Sequence, residues 1–185
     1  MNSRARQKGF TIVELLIVIV VIGILAAITI VAYNGIQTRA ENTKTINAVS
    51  QWAKALQLYK AEKGNYPTVH SCLGDTNTYT DSHNGRCWAL SSDGTWFVNS
   101  TFLSQMSEFI GSYPSPSSKD INAATGGNQY RGAMYYRQAV GNELIYVEIV
   151  GATSASECPK IGSLTTYSAG TVRPSGVSCY YSLPQ

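Results

Sequence analysis

Residues 15–33 form a run of 19 positions without a charged side chain. As a helix rising about 1.5 Å per residue, the run spans about 28 Å, close to a bilayer hydrocarbon core of about 30 Å. Glu14 stands immediately before the run, and the basic residues Arg4, Arg6 and Lys8 precede it. A carboxylate at the edge of a membrane helix is costly unless it meets a partner. The pattern therefore predicts a membrane helix that assembles with other molecules.

Two simpler interpretations of this run fit it less well. A secretory signal peptide has an apolar core of about 7–15 residues and no internal carboxylate. Ala26-Ala27 is similar to a cleavage site, but apolar residues continue beyond it. A plain membrane anchor explains the length and leaves Glu14 unexplained. Because cytoplasmic flanks are enriched in Lys and Arg, we expect the N-terminus inside and the C-terminal bulk outside the cytoplasm.

Beyond the run, apolar side chains recur at helical spacing. Residues 36–63 carry a single apolar stripe, made of Ile46, Val49, Ala53 and Leu56, with Trp52 and Tyr59 beside it. Gly64 suits the position after a helix, and Pro67 ends the pattern. The sequence predicts one helix from about Phe10 to Lys63, apolar all round in its first half and one-sided in its second.

Residues 133–150 carry the clearest strand pattern, with two alternating runs around Gly141-Asn142. A two-residue turn there predicts three opposite pairs, which are Val140–Glu143, Tyr136–Val147 and Met134–Ile149. One face of this hairpin then consists of Met134, Tyr136, Ile145, Val147 and Ile149. The other face consists of Tyr135, Arg137, Leu144, Tyr146 and Glu148. We expect an antiparallel sheet whose apolar face rests on the helix.

The remaining pattern predicts shorter elements and loops. They are a loop at 68–93, a strand or helix entry at 95–98, a helix at 101–110 capped by Thr101, a connection at 114–127, a loop at 151–157 and a strand at 178–181.

Four cysteines, Cys72, Cys87, Cys158 and Cys179, all follow the apolar run. An even number in an exported domain indicates two disulfides, for which three pairings exist. We favour Cys72–Cys87 and Cys158–Cys179, because each closes a local loop. The alternative is a zinc site, but the usual ligand spacings are absent. The C-terminal loop also has no cluster of Asp residues, so we predict no metal and no cofactor.

The chain has 185 residues, which is enough for one modest domain plus an anchor. Its net charge is +3. Without the first nine residues, 11 basic side chains face 11 acidic ones. A neutral chain repels itself little and suits self-association, whereas a general nucleic-acid binder carries a basic surplus. Direct, strong binding of nucleic acid is therefore not expected.

No arrangement for catalysis is evident in the sequence. A hydrolytic site needs a nucleophile, a base and a stabilising group together, and the carboxylates here are scattered singly. His70 and His83 are the only histidines, and both fall in the predicted loop at 68–93. Most of the twelve tyrosines are expected to pack, and those predicted as candidates for display are Tyr135, Tyr146, Tyr180 and Tyr181. We predict that the protein is not an enzyme.

The segment Lys8-Gly9-Phe10-Thr11-Ile12-Val13-Glu14-Leu15-Leu16, followed by its apolar run, resembles the class III leader junction of type IV pilins and pseudopilins. The resemblance implies that a prepilin peptidase cuts between Gly9 and Phe10 and methylates the new amine of Phe10. It also implies that Glu14 is the family's acidic residue and takes part in subunit assembly. Many pilins carry a proline in this helix, and here none is present, although Gly23 and Asn34-Gly35 are weak points.

The resemblance implies an α+β fold, in which the second half of one long helix packs on a small antiparallel sheet with disulfide-stapled loops. The expected divisions are a leader at 1–9, a transmembrane and filament-core helix at 10–33, an amphipathic continuation at 34–64 and an extracellular β-rich domain at 65–185. The expected function is a pilin: a structural subunit of a type IV pilus-like filament that serves adhesion, motility or DNA uptake.

The resemblance also implies partners and locations. The partners are further copies of the chain in a helical filament, the peptidase, an assembly platform with its ATPase, and the cytoplasmic membrane before assembly. After assembly the filament lies at the cell surface. Two alternatives stay open: a pseudopilin of a type II secretion or competence apparatus, and a monomeric, membrane-tethered domain that binds a ligand.

Overall fold

The structure is a computed structural model that describes residues 10–79, 85–90, 94–121 and 128–185. The chain divides into two compact units, the first ending at Gln37 and the second beginning at Thr38. Its helices are α1 (Ile12–Lys63) and α2 (Ser100–Met106), with a 3₁₀ turn at Ala155–Glu157. Its strands are β1 (Ser71–Cys72), β2 (Arg86–Leu90), β3 (Gly94–Phe97), β4 (Gln129–Tyr130), β5 (Ala133–Ala139), β6 (Asn142–Val150), β7 (Thr165–Arg173) and β8 (Gly176–Ser182).

The strands form two antiparallel sheets. The larger has the order β1-β5-β6-β8-β7, and the smaller has the order β3-β2-β4. One long N-terminal helix with a small antiparallel sheet confirms the predicted α+β class. α1 runs through Gly23 and Gly35 without interruption.

The second half of α1 packs as its stripe predicts. Val49, Ala53 and Leu56 are buried, and Ile46 is half-buried. The main core collects Trp52 and Leu56 from α1, Phe102 and Met106 from α2, and Tyr135, Ile145 and Val147 from the larger sheet. A second core lies on the other side of that sheet and includes Cys72, Cys87, Trp88, Tyr130 and Met134.

The predicted pairing of β5 with β6 is wrong, because the observed register is shifted from it by an odd number of residues. Tyr135 lies opposite Ile145, Met134 lies opposite Tyr146, and the ladder is irregular between Arg137 and Ala139. The turn is Val140-Gly141, with Asn142 already in β6. Because side chains alternate across a strand, this slip exchanges the two predicted faces of β5. Tyr135 points to the main core, and Met134 and Tyr136 belong to the second.

The structure also overturns part of the tyrosine prediction. Tyr135 and Tyr181 are 0% and 1% exposed, so neither is displayed. Their hydroxyls donate to the backbone oxygens of Pro67 and Pro159, at 2.8 and 2.6 Å. Of the four candidates for display, only Tyr146 and Tyr180 are partly accessible.

Three shorter predictions need correction. The cap of α2 is Asn99, whose Oδ1 accepts from the backbone N–H of Phe102 at 3.1 Å, and not Thr101. The predicted loop at 68–93 contains β1 and β2. β7 lies in a Gly/Ser/Thr-rich segment for which we predicted no strand. Its side chains are mostly exposed, so the segment has no apolar alternation that would indicate one. It pairs with β8 at the edge of the larger sheet.

Candidate assembly site

The N-terminal half of α1 exposes its apolar side chains on every side. Phe10 is 90% exposed, and the large side chains exposed after it include Ile12, Leu15, Ile19, Ile22, Leu25 and Ile28. Among the described residues, α1 alone contains a stretch long and apolar enough to cross a membrane. An apolar surface of this extent is unfavourable in water, so the segment requires lipid or other copies around it.

Glu14 is held by the first turn of its own helix. Its Oε2 accepts from the backbone N–H of Thr11 at 2.8 Å and from the Thr11 hydroxyl at 2.7 Å. The backbone N–H of Glu14 donates to Thr11 Oγ1 at 3.2 Å. This reciprocal pair is a capping box, which satisfies two of the free N–H groups at a helix start. The carboxylate also faces the positive end of the helix dipole.

Thr11 is therefore a site residue that we did not predict. The signal was present in the sequence, since a threonine followed three residues later by glutamate marks a helix start. Within the described part of the chain, no cation lies at ion-pair distance from Glu14. Among the described residues, the carboxylate is therefore stabilised by the hydrogen bonds of Thr11 and by the helix dipole, and an ammonium group would be a suitable ionic partner.

The structure describes the chain from Phe10 onward, so it includes the residue that follows the expected cleavage point. Gly9 and the leader at 1–9 lie outside the described residues. Cleavage after Gly9 and methylation at Phe10 remain predictions.

The cysteines pair in two local links. Cys72 joins Cys87 and Cys158 joins Cys179, each with Cα atoms 5.7 Å apart. The first link connects β1 to β2 within the second core, and the second connects the end of the 3₁₀ turn to β8.

The histidines do not form a reactive cluster. His83 lies outside the described residues. His70 stacks on Tyr136 with ring centres 4.7 Å apart, and its Nδ1 accepts from the backbone N–H of Arg137 at 3.1 Å. Nδ1 therefore carries no proton in this contact, and burial lowers the pKa of His70, which favours the neutral ring. Within the described ranges, no three His, Cys, Asp or Glu side chains are grouped as a metal site.

Comparisons with known proteins address the N-terminal region. A family model described as "Prokaryotic N-terminal methylation motif" matches residues 4–30. The type II secretion system core protein G of Escherichia coli strain K12 is 33% identical over 73 residues, which are 40% of this chain and 50% of that protein. The protein of the same name from Dickeya chrysanthemi is 33% identical over 69 residues, 37% of this chain and 45% of that protein.

A fimbrial protein is similar over the same extent. Fimbrial protein EcpC of Eikenella corrodens is 40% identical over 68 residues, 37% of this chain and 44% of that protein. The chain thus spans about half the length of the curated relatives it matches. No solved structure matches the chain.

Proposed function

We propose that this chain, whose N-terminal region is that of a type IV pilin or pseudopilin, is a structural subunit of a type IV pilus-like filament. A prepilin peptidase would cleave it after Gly9 and methylate Phe10. The subunit would wait in the cytoplasmic membrane with its N-terminus inside, and an assembly platform with its ATPase would then build it into a surface filament. The observation that supports this best is the exposed apolar surface along the N-terminal half of α1.

In this proposal the apolar segments of neighbouring subunits cover one another in the filament core. Burial of apolar surface drives the association, but it is not directional and does not select a register. One charged pair in an apolar interface does select one. Glu14 would supply the acid and the amine of Phe10 on a neighbouring subunit the base, which offsets the cost of removing both charges from water. Such a filament would serve adhesion, motility or DNA uptake, and no enzymatic activity is part of the proposal.

Two substitutions at Glu14 separate charge pairing from helix capping. Glu14→Gln removes the charge but keeps a side chain that completes a capping box, whereas Glu14→Leu removes both. If the charge sets register, both variants insert into the membrane and both lose filaments, scored by electron microscopy of sheared cells. Thr11→Val is the matched control, because it removes the capping hydroxyl and keeps the charge of Glu14. If charge and not capping sets the register, this variant still forms filaments. Normal filaments from Glu14→Gln and Glu14→Leu would contradict this role.

Processing is tested separately by mass spectrometry of the mature N-terminus. We expect a chain that begins at N-methylated Phe10, and Gly9→Val, with a side chain at the cut, should remain full length. An intact Met1 in the native protein, together with a monomeric state in detergent, would favour the tethered ligand-binding domain.

The second candidate is a pseudopilin, because two of the relatives above are named as core proteins of the type II secretion system. The subunit would assemble through the same contacts, but it would work in a secretion apparatus instead of forming a surface filament. Deletion of the gene separates the two. Loss of surface fibres supports the pilus, whereas loss of secreted proteins from the medium with fibres unchanged supports the secretion apparatus.

A further inference from the structure

A cleft opens between two segments of the globular unit, and the assembly site does not include it. Residues 68–70 form one wall and residues 96–101 form the other, around a volume of about 560 Å³. Ser71 Oγ accepts from the backbone N–H of Asn99 at 3.0 Å and ties the walls together. The cleft is therefore a preformed site of the size that small ligands occupy.

Two polar side chains that line the cleft offer donors because their acceptor atoms are already used. The Nδ1 of neutral His70 accepts from the backbone N–H of Arg137, so the ring proton is on Nε2. The Oδ1 of Asn99 accepts from the backbone N–H of Phe102, so its Nδ2 group is left as the donor. A ligand that matches these two groups must present oxygen acceptors.

Aromatic rings supply the apolar part of the cleft. Phe97 is 46% exposed, and Trp96 is half-buried with its ring 6.3 Å from that of Tyr136. His70 stacks on the same Tyr136 ring, which holds the imidazole in place. Flat, immobilised rings bind ligands that carry an apolar face, since stacking costs them little conformational entropy.

The lack of charged side chains in the described lining of the cleft favours an uncharged ligand. The lining contains no Asp, Glu, Lys or Arg among its nine residues, and its single histidine is neutral. Arg86 contacts Phe97, with its guanidinium 5.8 Å from the ring centre, but does not line the cleft. Among the described residues, none that lines the cleft would give a charged ligand a counter-ion in exchange for its lost water. The ligand is thus uncharged, rich in oxygen acceptors and apolar on one face.

We infer that this cleft binds a neutral saccharide. A pyranose ring without acidic groups offers hydroxyl and ring oxygens to His70 and Asn99, and its C–H face covers Phe97 and Trp96. This binding would be a property of the single subunit, independent of whether the chain forms a pilus, a pseudopilus or neither.

The test uses the full-length protein in a sugar-free detergent, applied to an array of neutral mono- to tetrasaccharides. The array carries glucose, galactose, mannose and N-acetylhexosamine units, with sialylated and sulfated versions of the same chains. We expect binding to neutral members, and a Kd raised about tenfold, the equivalent of about 1.4 kcal/mol, in two variants. Phe97→Ala removes the stacking face, and Asn99→Asp keeps the acceptor that caps α2 but removes the donor.

Tyr167→Ala is the matched control, because Tyr167 is 52% exposed on β7 and does not line the cleft. The Tyr167→Ala variant should bind the saccharides with the same Kd as the unmodified protein. An unchanged midpoint of thermal unfolding for Asn99→Asp would show that this variant keeps its fold. Three results would overturn the inference: no neutral saccharide retained, preference for sialylated or sulfated chains, or affinity unaffected by both cleft variants. Displacement of the sugar by an uncharged tripeptide at equal concentration would replace the saccharide with a peptide ligand.

Discussion

At the scale of single residues, the most unusual group is a carboxyl inside the domain. Glu148 is 2% exposed, on the face of β6 that joins the second core. Its Oε2 accepts from the Ser178 hydroxyl at 2.7 Å, and Arg173 Nε donates to the same Ser178 oxygen at 3.1 Å. Oε1 has no hydrogen-bond partner among the described residues. Burial raises the pKa of Glu148 to about 8, so the carboxyl is largely protonated at neutral pH.

This group makes the stability of the domain depend on pH. Between the ordinary pKa near 4.5 and about 8, the folded chain keeps a proton that the unfolded chain has lost. Stability therefore falls as pH rises through that window, by up to about 1.4 kcal/mol per pH unit, and levels off above it. Denaturant titrations from pH 5 to 8 should show this slope, and Glu148→Gln should remove it. Glu108→Gln, at a largely exposed carboxylate, should keep it.

The cap of α2 provides a second test at this scale. Asn99→Ala removes the acceptor for the N–H of Phe102 and should destabilise the domain by about 1 kcal/mol, the usual effect of losing an N-cap. Thr101→Ala, at the exposed residue that the sequence suggested as the cap, should change the unfolding free energy by less than about 0.5 kcal/mol. If urea denaturation shows a loss below about 0.5 kcal/mol for Asn99→Ala as well, the cap is not a stabilising contact.

At the scale of elements, the buried side of α1 is not purely apolar. Asn42 and Thr45 use their side chains to bind backbone groups of other segments, Thr45 Oγ1 accepting from the N–H of Ser117 at 3.0 Å. Trp52 Nε1 donates to the backbone oxygen of Pro114 at 2.8 Å. These bonds hold the helix in one position against the sheet and the 114–117 connection, which apolar contacts alone specify poorly.

Asn42 makes two of these hydrogen bonds to a single residue. Its amide donates to Val150 O and accepts from Val150 N, both at 2.9 Å, and so completes the hydrogen bonding at the end of β6. Asn42→Ala leaves two backbone groups unpaired and should cost about 1–3 kcal/mol in unfolding free energy. Gln51→Ala is the control, since Gln51 bonds only to its own helix at an exposed position. Faster amide exchange at Val150 should accompany the loss, and unchanged exchange there would contradict the assignment.

At the scale of the whole molecule, the globular unit has two cores, and each contains one disulfide. Cys72 and Cys87 belong to the second core, while Cys179 belongs to the main core with Cys158 packed beside it. The sequence separations of 15 and 21 residues make each link a constraint on one local loop. The similarity to the relatives described above is confined to part of the chain and does not by itself describe this arrangement.

Replacing each pair by alanine should weaken different parts of the domain. Each link should contribute about 3 kcal/mol to stability, as expected for loops of this length. Without Cys72–Cys87, hydrogen exchange should accelerate first in β2 and β4, and without Cys158–Cys179 first in β7 and β8. Equal acceleration in both regions for either variant would mean that the two cores unfold as one.

The chemical pattern along the chain was enough to predict several parts of this protein. A hydrophobic pattern is local, so the uncharged run at 15–33 and the stripe through Leu56 located the exposed apolar half and the buried side of α1. The spacing of Thr11 and Glu14 also contained the signal for the cap of α1, although we did not use it as a prediction. Strand β6 was placed on its correct faces, since Ile145, Val147 and Ile149 recur at every second position and all three belong to the main core.

Only the tertiary structure decided the features that depend on distant neighbours. The turn lies at Val140-Gly141, one position before the predicted Gly141-Asn142, and this change alone keeps the predicted faces of β5. The irregularity between Arg137 and Ala139 shifts the ladder by one further residue, and that shift buries Tyr135. β7 exists because β8 supplies its hydrogen bonds, which no property of an exposed, polar segment reveals. The environment of Glu148 likewise comes from Ser178 and Arg173, on other strands. Sequence determines what a segment prefers by itself, whereas register, edge pairing and the pKa of a buried acid arise from contacts between segments.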